Sequence, residues 1–147
     1  MSGERKYAKY VIQKTDDPLA DPPPGAPRSV GGRNVLLINN ELQGAVPNAT
    51  YLNAEVVSKP TEPGPFEQHA HSFDEYVTFI GTNIEKPYDL DGVVEIWIED
   101  EKYILTRSTA VFIPTGVYHG PVVFHQVNTP IVWSESAAAT HYSYGMY

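Results

Sequence analysis

The sequence has no cysteine among its 147 residues, which removes disulfides, thiolate metal sites and a cysteine nucleophile at once. It has no apolar run long enough to span a bilayer, and Met1 to Lys6 lead into no apolar stretch, so neither a membrane anchor nor a signal peptide is expected. Basic residues are scarce. Ten Lys and Arg face 18 Asp and Glu for a formal charge of -8, and they form no run or stripe. A nucleic-acid partner or an anionic membrane surface would need clustered positive charge, so neither is expected. There is no Gly-rich phosphate loop and no nucleophile elbow. No stretch holds a helical hydrophobic period. These absences leave a soluble, cytoplasmic single domain, long enough to bury roughly two thirds of its unfolded surface.

The chain is instead rich in short strand signals separated by turns. Tyr7 to Gln13 reads as a short strand. Asp16 to Arg33, with Asp21-Pro22-Pro23-Pro24-Gly25-Ala26-Pro27 at its centre, lacks the donors that a helix or central strand needs and reads as an extended arm. Residues 1–33 are therefore an N-terminal strand and proline-rich arm, and 34–147 the folded domain with a tyrosine-rich tail. From Asn34 the strand signals are Val35 to Ile38, Tyr51 to Ser58, Glu75 to Ile80, Val93 to Glu99, Lys102 to Thr106, Ala110 to Ile113, Val122 to His125 and Ile131 to Trp133. Asp100-Glu101 reads as a hairpin turn and Asp89-Leu90-Asp91-Gly92 as a loop. In Tyr51 to Ser58 the alternating apolar set is Leu52, Ala54 and Val56. Many short strands without crossover helices predict an all-β antiparallel sandwich or barrel.

Five histidines occur, and three of them stand in two short segments beside a carboxylate: His69-Ala70-His71 with Glu75, and His119 in Pro114-Thr115-Gly116-Val117-Tyr118-His119. Residues i and i+2 of a strand share a face, so His69 and His71 present two imidazoles from one edge. Glu75 adds an oxygen after a bend. Pro-Thr-Gly makes a tight turn that aims His119 from a distant strand. Three neutral imidazoles and one carboxylate suit a divalent transition metal, with manganese, iron, nickel and zinc all allowed.

These residues resemble the two motifs of the cupin superfamily. Gly64, His69, His71, Glu75 and Gly81 match the first motif, with two gaps one residue short. Pro114, Gly116 and His119 match the second, where Ser108 replaces a glycine and Val123 an asparagine. The resemblance implies an antiparallel double-stranded β-barrel, a jelly roll, binding one metal through His69, His71, Glu75 and His119. It also implies a metalloenzyme acting on a small oxygenated substrate such as a diketone, enol, phenol or keto acid, by dioxygenase, lyase, isomerase or hydrolase chemistry. The alternative is a non-catalytic cupin that binds or senses a small molecule through its metal. Glu67 and His125 share parity with the ligands and are the candidate pocket bases, and Arg107 is a candidate carboxylate clamp. Tyr118 alternates outward. Tyr142, Tyr144 and Tyr147 suit the mouth of a pocket or a subunit interface. A homodimer is the expected assembly, motivated by the arm and the tail.

Overall fold

Alternation along the strands decides the architecture. The computed structural model describes residues 5–11, 32–38, 49–61 and 68–139, with the backbone alone for 32–38. Among the described residues there are eight strands: β1 (Gly32–Ile38), β2 (Tyr51–Val57), β3 (Glu75–Gly81), β4 (Asp89–Ile98), β5 (Glu101–Arg107), β6 (Thr109–Ile113), β7 (His119–Val127) and β8 (Ile131–Ala137). They build one five-stranded sheet in the order β1-β2-β8-β3-β6 and one three-stranded sheet in the order β5-β4-β7, and every pairing is antiparallel.

The histidine segment extends the smaller sheet. His69 and His119 exchange two backbone hydrogen bonds, of 3.0 and 2.9 Å, as an isolated antiparallel bridge. With that segment beside β7, the chain crosses from one sheet to the other at nearly every step from β2 to β8, which is the connectivity of a jelly roll. The two sheets face each other rather than closing into one continuous barrel.

Between them lies an apolar core in which Val57, Phe79, Leu90, Val94, Ile96 and Ile131 are fully buried. Phe79, Phe124 and Trp133 pack with ring centroids 5.5 to 6.4 Å apart, within the range of favourable aromatic contacts. Alternation is clearest on β3, where Glu75, Val77, Phe79 and Gly81 are buried and Tyr76 and Ile80 are exposed.

Several local expectations differ from the structure. Ala8–Tyr10 is a 3-10 turn rather than part of a strand, because among the described residues no strand pairs with it and Tyr7 and Tyr10 stack at 6.4 Å on one side of the turn; Ile12 and Gln13 lie outside the described residues. Asp89 to Gly92 opens β4 instead of forming a loop. The burial of Leu90 and the pairing of Gly92 with Val127 hold it there. The β4–β5 turn sits one residue earlier than expected, at Glu99-Asp100, with Glu99 at φ 53°. On β2 the face is reversed: Tyr51 and Val57 are the buried ends, so Leu52, Ala54 and Val56 point outward by alternation and Asn53 and Glu55 inward.

The connection from β3 to β4 explains one departure from the cupin motif. Ser108, at the position of a motif glycine, accepts a hydrogen bond from the Gly81 amide at 2.9 Å and donates one to Pro87 O at 2.6 Å. A Cβ on Gly81 would lie 2.1 Å from Asp89 O, a backbone atom that cannot turn aside. Gly81→Ala is therefore expected to lower stability by about 1–3 kcal/mol, measured by urea unfolding. An unchanged midpoint would show that the β3–β4 connection is free to shift.

Candidate metal centre

The four sequence-predicted ligands converge on one point between the sheets. His69, His71, Glu75 and His119 are 8, 2, 2 and 4% exposed, burial that is costly for polar side chains unless something satisfies them. The histidine ligand atoms lie within 4.8 Å of one another. Glu75 Oε1 is 3.2 Å from His119 Nε2, and Glu75 Oε2 is 3.6 Å from His71 Nε2. Ligands bound about 2.0–2.2 Å from one ion stand roughly 3 to 4.4 Å from each other, so small side-chain rotations suffice to close the set.

Local structure aims each group. The Pro114–Gly116 turn closes with a hydrogen bond from Val117 N to Pro114 O at 3.1 Å, and Gly116 takes the positive φ, 89°, that this turn requires. Asp74 Oδ1 accepts from the amide and the hydroxyl of Thr115, and the Gly116 amide donates to His71 O at 3.2 Å. The turn is thus tied to the histidine segment from two sides. His119 Nδ1 lies 3.0 Å from Val117 O. That carbonyl can only accept, so Nδ1 carries the proton and Nε2 presents its lone pair. The ring of His71 stacks on Phe73 at 4.7 Å and 5°.

His119 Nε2 and Glu75 Oε2 are buried without a hydrogen-bond partner among the described residues. Orphaned lone pairs pointing into one small volume, three imidazoles and a carboxylate are the donor set that a borderline divalent ion takes. The residues present therefore fit a metal.

Beside the candidate ligands lies a cavity of about 30 Å3, whose apolar wall is Val77, Ile96, Val122 and Trp133 and which Glu135 also lines. Glu135 was not foreseen. Its own desolvation, with the carboxylates of Glu75 and Glu55, pushes its carboxyl well above the ordinary carboxylate range. Burial, followed by Glu135, Glu75 and Glu55, likewise pushes the Tyr51 phenol up. The signal was available in β8, where Ile131, Trp133, Glu135 and Ala137 share the inward face: a carboxylate in an apolar alternation.

The second-base candidates fare differently. Glu67 lies outside the described residues, as do Gly64 and the tyrosines of the tail. His125 does not reach the pocket. Between Ile96 and Ile98 the β4–β7 register shifts, setting Val122 opposite Ile96 and His119 opposite Ile98, and this bulge changes the inward parity after His119. His125 is consequently exposed and its Nε2 lies 2.9 Å from Glu95 Oε1, while Trp97 Nε1 donates to Glu95 Oε2 at 2.8 Å. The hydrogen bonds from His125 and Trp97 hold the Glu95 carboxyl below its usual range. Any stability this adds is present at neutral pH and fades as acid protonates Glu95 below its ordinary pKa. His125→Ala is expected to leave metal content and ligand binding unchanged, checked by metal analysis and calorimetry; a loss in either would return His125 to the site. Arg107 is exposed and sits over the Tyr88 ring at 5.8 Å, away from the pocket lining. Tyr118 is exposed, as expected.

No family model matches the sequence, and no curated protein does. Solved structures are similar in overall shape. KdgF from Halomonas sp. is 15% identical over 73% of this chain and 79% of its own, with a TM-score of 0.45. An RmlC-like cupin from Shewanella frigidimarina is 18% identical over 74% and 78%, at 0.44. The polyketide cyclase RemF from Streptomyces resistomycificus is 15% identical over 95% and 81%, at 0.47. Such likeness concerns strand arrangement and not chemistry. The jelly roll follows from strand order and register in this chain, and the site from its own side chains.

Proposed function

We propose that this chain, which has the cupin fold, is a metal-dependent enzyme acting on a small oxygenated organic molecule. The observation that carries the reading is the convergence of four buried donors on an apolar-walled pocket, with lone pairs on His119 and Glu75 that no described residue satisfies. His69, His71, Glu75 and His119 would hold one divalent transition ion, manganese, iron, nickel or zinc. Such an ion, when bound, polarises a carbonyl or stabilises an enolate or oxyanion. The protein's own contribution is positional. The turn at Pro114–Gly116 and the Val117 carbonyl fix His119, the bridge from β7 fixes His69, and the apolar wall excludes water, so charges inside interact more strongly than in solvent.

Dioxygenase, lyase, isomerase and hydrolase chemistry are all compatible with that arrangement. No helix among the described residues is long and apolar enough to cross a membrane, and the partner we propose is a small molecule. The test is metal analysis of purified protein, followed by turnover of a panel of diketones, enols and phenols with an oxygen electrode. Metal-dependent turnover of any panel member supports the enzyme reading, and oxygen uptake sorts dioxygenase from the other reactions. Tight, metal-dependent binding with no turnover across the panel would favour a sensor or binding module instead.

A further inference from the structure

The pocket beside the metal ligands is short of positive charge. Among the described residues no Lys or Arg lines it. Arg107, the one arginine that the sequence offered as a carboxylate clamp, is exposed against Tyr88. Carboxylate and phosphate ligands are typically held by the fixed donors of Arg or Lys. Among the described residues an anion would meet no cation besides the metal ion, whose charge Glu75 partly offsets.

The same wall carries polar groups of another kind. Trp133 lines the pocket, and its indole Nε1 is buried with no hydrogen-bond partner among the described residues. An indole N–H can only donate, and a buried donor left unmade is unfavourable until an acceptor arrives. Glu135 stands two residues further along β8, and so on the same face; its carboxyl accepts a hydrogen bond in either protonation state. A donor and an acceptor therefore stand one pleat apart, at the edge of an apolar wall, with no Lys or Arg among the described residues that line it.

We propose that Trp133 and Glu135 read the substrate, and that the class they fit is an uncharged hydroxy-carbonyl compound, such as the enol form of a 1,3-diketone or an α-hydroxyketone. The carbonyl oxygen accepts from Trp133 Nε1–H, and the hydroxyl donates to Glu135. Keto acids and phosphorylated compounds fall outside this class. The inference rests on the metal-centre reading and narrows its substrate.

The test uses the full chain loaded with zinc, which is redox-inert, after its zinc content has been measured. Acetylacetone and acetoacetate are then compared by calorimetry: a terminal methyl of one is an anionic oxygen in the other, and hydroxyacetone against glycolate repeats that exchange without a difference in enol content. Acetylacetone is expected to bind at least about tenfold tighter, a difference of the size that one charge makes in a low-dielectric site. Trp133→Phe, which keeps the aromatic packing, should weaken acetylacetone about fivefold or more at unchanged zinc content. Failure to take up zinc, manganese, iron or nickel would defeat the metal-centre reading and this inference with it. Normal zinc content with acetoacetate bound as tightly as acetylacetone, with neither ligand bound, or with Trp133→Phe indifferent, would overturn the substrate assignment alone.

Discussion

Glu75→Gln is expected to cost the protein most of its metal affinity, well beyond the roughly 10- to 100-fold that losing a group which merely orients a ligand produces. Glu75 is the anionic member of the ligand set, 2% exposed, with oxygens 3.2 and 3.6 Å from two imidazoles. Glutamine keeps the volume, so β3 can pair as before, but the charge that offsets a divalent ion is gone and an NH2 replaces one acceptor. Metal retention under a graded series of chelators should shift strongly, while far-ultraviolet circular dichroism stays that of the parent. Any turnover should fall with it. Equal retention in the Gln variant would place Glu75 outside the ligand set.

Phe79→Ala is expected to produce the largest loss of stability, about 3–5 kcal/mol. Phe79 is fully buried, packs against both Phe124 and Trp133, and stands two residues from pocket-lining Val77 on the inward face of β3. The cavity left behind cannot be filled from two sheets whose spacing is set by the other core side chains. Because Trp133 rests on this ring, ligand affinity should fall in addition to the urea midpoint. A loss under 1 kcal/mol would mean that the sheets collapse onto the gap, and would make the aromatic trio a filler rather than a support for the pocket.

The strands were legible wherever alternation and turn residues agree. Glu75 to Ile80 is the clearest case, and the observed strand differs by one residue at its end. The convergence of the candidate ligands was legible for a related reason: His-x-His on an extended segment and a stiff Pro-Thr-Gly turn before a third histidine leave few geometries open. What escaped were inward polar residues. Apolar content marks the core face in most strands, and β2 breaks that rule because Leu52, Ala54 and Val56 cover the outer face while Glu55 lies on the inner one with buried Tyr51.

Glu135 escaped because the last strand signal fades at Trp133, although the backbone pairs on to Ala137 opposite Tyr51 and Glu75. His125 was misplaced because parity counting assumes an unbroken ladder. A bulge adds one residue to one side only and reverses the faces as far as the next register shift, which here falls at His125, between Phe124 opposite Val94 and Gln126 opposite Val93, and it leaves no mark in Gly120-Pro121 that distinguishes it from an ordinary turn signal. The sequence signature thus picked out the four donors that the fold brings together, whereas the wall that would choose the substrate needed the register.

The central claim is that His69, His71, Glu75 and His119 hold one metal ion in each chain. The most direct test is the metal-to-chain ratio, by plasma mass spectrometry after chelator dialysis and re-loading, for the parent and for the His69→Ala/His71→Ala double variant. The account predicts about one ion per parent chain and almost none in the double variant, with the urea midpoint of the two metal-free proteins differing little. A double variant that kept the full ratio would contradict it.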